Sequence, residues 1–176
     1  QLMLFRALGH ERVRLPTNTP AHWQAVQAAA AVGGTPSTLR PDTGATSLMH
    51  YAFEAQGAPL SLDCLQANLL FTFHLRQYYL QRGALRIAPG PGDHALDVGA
   101  CFGDTAIGMA LSVGATGKVH CFELLDTHLV VLRHNVLQNP GLAPVVVHPC
   151  GLSDHTREGT VASGAADPGF RVRDDA

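Results

Sequence analysis

Residues 94–110, HALDVGACFGDTAIGMA, pass from a short apolar strand through a glycine loop with an acidic residue on each side into a helix. The same alternation then repeats. Asp104 or Thr105 caps a helix that Gly114 closes, and KVHCFE, from Lys118 to Glu123, has the composition of a second strand. Asp126 caps a further helix with Leu129, Leu132, Val136 and Leu137 on one face; NPG ends it, and APVVVHPC is a third strand. Strands alternating with ten-residue helices leave few options. Parallel strands need long crossovers, and those crossovers are right-handed, so the expected fold class is α/β, with a Rossmann-like, doubly wound, mostly parallel sheet.

Such sheets bind ligands outside the carboxyl ends of their strands, which makes the loop after Asp97 the default site. Three ligand classes compete for it. A P-loop needs four residues between its glycines and a following lysine, whereas Gly99 and Gly103 are separated by three and no lysine follows. A dinucleotide fingerprint laid on from Gly99 puts Cys101 where backbone must approach the pyrophosphate, and Asp104 in place of the last glycine. Asp104 sets a carboxylate at the helix end that otherwise attracts phosphate.

S-adenosylmethionine carries a sulfonium cation and no phosphate, and an acidic loop suits it. On this reading Asp97 accepts hydrogen bonds from the loop or from the ligand's ammonium group, and Gly99 and Gly103 let backbone pass close to the methionine part. Glu123, 26 residues after Asp97, is placed to accept both ribose hydroxyls, and Leu124 and Leu152 stand where an apolar side chain covers the adenine.

PGDHALDVGACFGDTAIGMA, KVHCFELLDTHLVVLRHNVLQN and VVVHPCGLSDHT together resemble the successive motifs of FkbM-type methyltransferases, a branch of the class I S-adenosylmethionine-dependent enzymes. The resemblance spans about Pro91 to His155 and includes the Pro-Gly-Asp lead-in, the F-E pair and the Asn135 and Asn139 spacing. It implies O-methylation of a small hydroxylated metabolite or sugar, and Asp97, Gly99, Ala100, Gly103 and Glu123 as cofactor contacts. The family has Asn where Cys101 stands and Pro where Leu124 stands. Its seven-stranded sheet is matched only through its first three strands, so residues 90–176 read as the cofactor-binding half of such a domain. A truncated, non-catalytic interaction piece is the alternative. An NAD-linked oxidoreductase is a third reading, opposed by Asp104.

Upstream, residues 1–60 read as a variable appendage with one helix, Ala21 to Val32. Residues 61–89 read as a linker after a long amphipathic helix: Leu62, Leu65, Leu69, Phe73 and Leu80 recur at helical spacing from Ser61 to Arg82, before Gly83. The first strand would be an apolar edge, which soluble proteins avoid, so either the chain is expected to be a fragment, or the N-terminal ninety residues or a second copy of the chain are expected to cover it.

A net charge of -2 favours neither nucleic acid nor an acidic membrane as partner. The most apolar window, Leu65 to Leu75, is far short of the roughly 18 residues that span a bilayer. Four cysteines without a C-x-x-C pair fit a reducing, cytoplasmic setting. Cys101, Cys121 and Cys150, with His120 and His148, fall near three strand ends, but their spacing is wider than zinc sites show, and no metal is expected. His148 is the one histidine placed to face the site. His74, Tyr78 and Tyr79 are candidate substrate contacts. The catalytic base is unassigned.

Overall fold

The computed structural model describes residues 2–9, 12, 19–40, 47–154, 160–162 and 171–173. In chain order, α1 (Leu2–Leu8) and α2 (Pro20–Ala31) precede β1 (Gly34–Pro36), β2 (Met49–Ala55) and β3 (Ala58–Cys64). The one-turn α3 (Gln66–Asn68) runs into a π-helix, Leu69–His74, and β4 (Leu80–Arg82) pairs with β5 (Leu85–Ile87). Then come β6 (His94–Val98), α4 (Asp104–Val113), β7 (Lys118–Phe122), α5 (Asp126–Gln138) and β8 (Val145–His148), followed by β9 (Thr160–Ala162) and β10 (Arg171–Arg173).

Strands β6, β7 and β8 form the expected parallel sheet in that order, with Asp97 beside Cys121 and Phe122 beside His148. Val119 and Cys121 of β7 pack with Ala106, Ala110, Val113 and Leu132 from the two crossover helices into one buried cluster, with Ala95 of β6 and Val145 and Val147 of β8 against it. Period two in the strands and period 3.6 in the helices therefore meet on one face. On α5 that face holds Leu129, Val131, Leu132 and Asn135, whereas Leu137, expected there, is 77% exposed. Leu137 is two positions from Asn135, about 200° round the helix, and so points to solvent.

Of the helix expected from Ser61 to Arg82 only residues 66–74 are helical, as α3 and the π-helix. Residues 58–64 are instead the second strand of an antiparallel hairpin, whose turn places Gln56 and Gly57 at φ 51° and 78°. Two consecutive positive values suit the tight turns that match strand twist. Leu60, Leu62 and Cys64 alternate inward and join Tyr51, Leu69 and Ile107 in a second buried cluster. Leu62 and Leu69 satisfy a helical spacing too, yet the two-residue alternation prevails because both faces of β3 have partners. The hairpin also crosses the boundary expected at residue 60, since Tyr51 and Leu60 share this core with Ile107 of α4.

The partner for the outer face and edge of β3 is α5. Asn135 accepts from Asp63 N at 2.7 Å and donates to Asp63 O at 2.9 Å; Asn139 accepts from Ser61 N at 3.0 Å and donates to Ser61 O at 2.7 Å. Four helical residues advance about 6.0 Å and two strand residues about 6.7 Å, so two side-chain amides can substitute for a neighbouring strand. The hairpin edge is closed by a helix.

The edge of β6 is different. No strand pairs with its outer side among the described residues, and Leu96 and Val98 are 60% and 56% exposed on the face away from α4. The described N-terminal residues thus leave uncovered the edge they were expected to protect; β3 packs instead on α4 and α5, and the π-helix on α4. No described helix is long and apolar enough to cross a membrane.

Candidate functional site

The loop between β6 and α4 lies at the carboxyl end of the parallel strands. Gly99 N and Ala100 N both donate to Phe122 O, at 2.9 and 3.1 Å, which ties the loop to the end of β7. Gly103, at φ 81°, caps α4; a Cβ there would come within 3.1 Å of Leu132 Cγ, so both backbone and packing favour glycine. Gly99, at φ 79°, has no atom within 4 Å of where a Cβ would be and opens onto free space. Ala100 is 3% exposed and its methyl belongs to the core, so only its backbone is available to a ligand.

Asp97 is 8% exposed, and its Oδ2 has no hydrogen-bond partner. Burial, then the charges of Asp104 and Glu123, push its carboxyl up to about 6, against the pull of the Ala106 N–H. Asp104 opens α4 with its carboxylate turned to the preceding segment: Asn68 Nδ2 donates at 2.9 Å and Thr72 Oγ1 at 2.5 Å. Burial raises its pKa and these two bonds oppose the rise. The π-helix therefore presents a hydroxyl to the helix that carries the loop, a role in keeping with where such helices recur. Among the described residues no lysine or arginine pairs with Asp97, Asp104 or Glu123.

Glu123 departs from the expected geometry. Its Oε1 already accepts from Leu124 N and Leu125 N, at 2.8 and 2.9 Å, and its Oε2 accepts from Cys101 N at 2.8 Å. A carboxylate has about four acceptor positions, so Glu123 has one left and cannot take both ribose hydroxyls in this conformation. Burial raises the Glu123 pKa, but the His128 imidazole and the backbone N–H groups outweigh it and hold the carboxyl below its ordinary range.

His128, on the first turn of α5, was not among the residues singled out from sequence. Its Nδ1 lies 3.6 Å from Glu123 Oε2, and its ring meets Phe102 edge-on at 5.1 Å. The Cys101 side chain, then Glu123, push the imidazole up to about 9. A base held protonated by the fold adds stability below its ordinary 6.5 that disappears as pH rises through about 9. The thermal midpoint is therefore expected to fall across that interval and to fall less in His128→Gln. A slope unchanged by the substitution would assign the fall to other groups.

Leu124 sits against Gly151, where a Cβ would lie 3.0 Å from Leu124 Cδ1, and Leu152 is 54% exposed at the same end of the sheet. His148 does not turn into the loop: it stacks on Phe122 at 4.6 Å and lies 3.0 Å from His120 Nδ1. Tyr79 bonds Ser112 Oγ at 2.9 Å and lines a cavity of about 200 Å³ with Thr72 and His74, while Tyr78 is 65% exposed. Cys121 is buried and Cys150 exposed; among the described residues no group of three His, Cys, Asp or Glu side chains could hold a metal.

Together these features define a parallel β-α-β-α-β unit with a glycine loop and three carboxylates at the carboxyl end of its strands. No protein-family model matches the chain, and no curated protein matches it. Among solved structures it is similar to a protein from Pyrococcus horikoshii named as a transferase, at 16% identity and TM-score 0.38, over 58% of this chain and 36% of that one. It is similar also to Aeropyrum pernix fibrillarin with natively bound S-adenosyl-L-methionine, at 15% identity and TM-score 0.33, over 65% of this chain and 56% of that one. A third, described as an O-methyltransferase of Klebsiella pneumoniae, gives 16% identity and TM-score 0.29, over 86% and 49%. The chain thus spans between 36% and 56% of the length of these three proteins.

Proposed function

We propose that this chain binds S-adenosylmethionine at the carboxyl end of β6 and forms part of a methyltransferase of FkbM type, cytoplasmic, acting on the hydroxyl of a small metabolite or sugar. The observation that carries the reading is the unpartnered Oδ2 of Asp97. A buried acceptor without a donor costs about 1–3 kcal/mol, more when charged, and a ligand that brings a cationic N–H group removes that cost. The cofactor's ammonium group is such a donor. The open space at Gly99 admits it, and the absence of lysine or arginine at the three described carboxylates leaves the charge for the ligand to answer.

The cofactor supplies an electrophilic methyl group on its sulfonium. Asp97 holds the amino-acid end, and the loop backbone from Gly99 to Gly103 lies along it. Glu123 offers one remaining lone pair to the ribose while its other bonds keep Cys101 and Leu125 in place. Its role is thus as much to shape the loop as to grip the nucleoside. Leu124 and Leu152 supply apolar cover for the base. Such a site works by alignment and exclusion of water.

Calorimetric titration with S-adenosylhomocysteine, which keeps the ammonium and the ribose, tests this directly. Binding is expected, weakened about tenfold or more in Glu123→Ala, as loss of a hydrogen bond to a charged group predicts. No binding to the folded chain, or binding indifferent to Glu123→Ala, would remove the reading. A non-catalytic nucleoside-binding piece is the second reading, favoured by the open edge of β6; it predicts the same titration without methyl transfer.

A further inference from the structure

The polar face of the β2–β3 hairpin carries a second constellation, independent of the cofactor reading. Ser61 and Asp63 lie two residues apart on β3 and so share a face, and His50 stands opposite Asp63 in the hairpin register. His50 Nδ1 is 3.1 Å from Asp63 Oδ2, and His50 Nε2 is 3.2 Å from Ser61 Oγ. Asp63 is 1% exposed, and burial alone would raise its pKa; hydrogen bonds from Ser37, His50 and Gln138 outweigh that and keep it ionised. An ionised carboxylate only accepts, so the proton of neutral His50 sits on Nδ1 and its Nε2 offers a lone pair to the serine. The serine hydroxyl has a second acceptor, Gln138 Oε1 at 3.1 Å, but an amide oxygen is too weak a base to take its proton. His134 Nε2 also faces Asp63 Oδ2, at 3.3 Å, and is the other titratable group at this carboxylate.

Ser61 lines an open groove of about 360 Å³ together with Pro59, Leu60, Pro140, Gly141 and Leu142, and no charged side chain lines it. The groove suits a small uncharged acyl group. We propose that Ser61 is an acyl-accepting nucleophile, activated by His50 and oriented through Asp63, and that the groove takes small esters with an apolar acyl part. Ser61 Oγ forms a bond to the carbonyl carbon as its proton passes to His50 Nε2. The ester C–O bond then breaks, and the departing alkoxide takes that proton and leaves as the alcohol. Attack by water on acyl-Ser61 releases the carboxylic acid and restores the hydroxyl.

Turnover is expected to be slow, because Ser61 N–H is engaged by Asn139 Oδ1 and is unavailable to a tetrahedral oxyanion. One such donor is worth about 10²–10³ in rate. Stoichiometric acylation is therefore the event to measure. The full chain is treated with p-nitrophenyl acetate and the acetyl group located by peptide mass spectrometry. Acetylation of Ser61 is expected, entering at least about tenfold faster than at Ser112 and faster than in the urea-unfolded chain. His50→Gln, at a side chain 35% exposed, is expected to slow it about tenfold or more. Acetylation at Ser61 no faster in the native than in the unfolded chain overturns the proposal without recourse to any variant, and so does a folded His50→Gln that reacts at the wild-type rate.

Discussion

Asn135→Ala is expected to lower the free energy of unfolding by about 3–5 kcal/mol, a large part of the roughly 5–15 kcal/mol of an ordinary domain. Asn135 is fully buried, and its amide serves three backbone groups: it accepts from Asp63 N and donates to Asp63 O and to Phe102 O at 2.8 Å. Alanine deletes all three bonds and admits no water in exchange. Each buried group left without a partner costs about 1–3 kcal/mol. Asn135→Asp keeps the acceptor but loses both donors and sets a second carboxylate beside Asp63, so it should fare no better. Urea unfolding midpoints for both variants, against Leu137→Ala at an exposed position of the same helix, measure the effect. A loss under about 1 kcal/mol would mean that the hairpin does not depend on its asparagine contacts. The consequence reaches the loop, since Phe102 follows Cys101 and the same side chain fixes its carbonyl. Ligand affinity is expected to fall with stability in this variant.

How much of this was readable from residues alone depends on where each signal resides. The β6-to-β8 unit was readable because each boundary has its own local cause: an apolar run, then glycine, then an acidic residue that opens a helix. The structure opens α4 at Asp104, with Gly103 as its cap instead of Asp104 or Thr105, and closes it at the expected Gly114. Residues 61–64 read as helix because Leu62, Leu65, Leu69 and Phe73 satisfy helical spacing, while the turn at Gln56–Gly57 and the alternation of Leu60, Leu62 and Cys64 favour strand just as well. What decides between them is Asn135 and Asn139, more than seventy residues away in the chain, receiving the β3 edge. No window over 58–64 contains that information.

The site divides in the same way. Asp97, Gly99, Gly103 and Glu123 come together at one end of the sheet because strand ends place them there, which spacing alone conveys. The occupancy of Glu123 could not be read, because its donors are backbone N–H groups whose direction depends on how Leu124 and Leu125 leave the strand. Asp104 was expected to set its carboxylate at the helix end in place of a phosphate; that carboxylate in fact answers Asn68 and Thr72, from α3 and the π-helix. Cys101 adopts φ 48°, a left-handed conformation that asparagine enters more readily than cysteine. That gives a physical reason for the asparagine that FkbM-type sequences have at the matching position, and His128 beside it gives Cys101 a neighbour the loop sequence did not suggest.

Asp97→Asn is expected to make the fold more stable and the ligand site worse, and this opposition separates a binding carboxylate from a structural one. An acid whose folded pKa lies above its unfolded one holds its proton more tightly when folded. Stability is then greatest below the ordinary 3.8, falls as pH rises to about 6, and stays at the lower level above it. The gap between those values corresponds to about 3 kcal/mol lost at neutral pH. An amide of the same shape keeps an oxygen for the Ala106 N–H and turns a donor toward Asp104 and Glu123, so a gain of roughly 2 kcal/mol is expected at pH 7, vanishing near pH 4. The same change removes the charge that answers an ammonium group, and breaking a buried charged pair costs about 2–4 kcal/mol, or about 30- to 800-fold in affinity. Wild-type affinity for S-adenosylhomocysteine is expected to rise with pH through about 6, as the carboxylate forms, while the variant's stays flat. Thermal unfolding and calorimetry at two pH values measure both arms. Were Asp97 only a loop-bracing residue, the amide would cost stability and leave no pH step in binding, because its lone unpaired oxygen would have had nothing to hold.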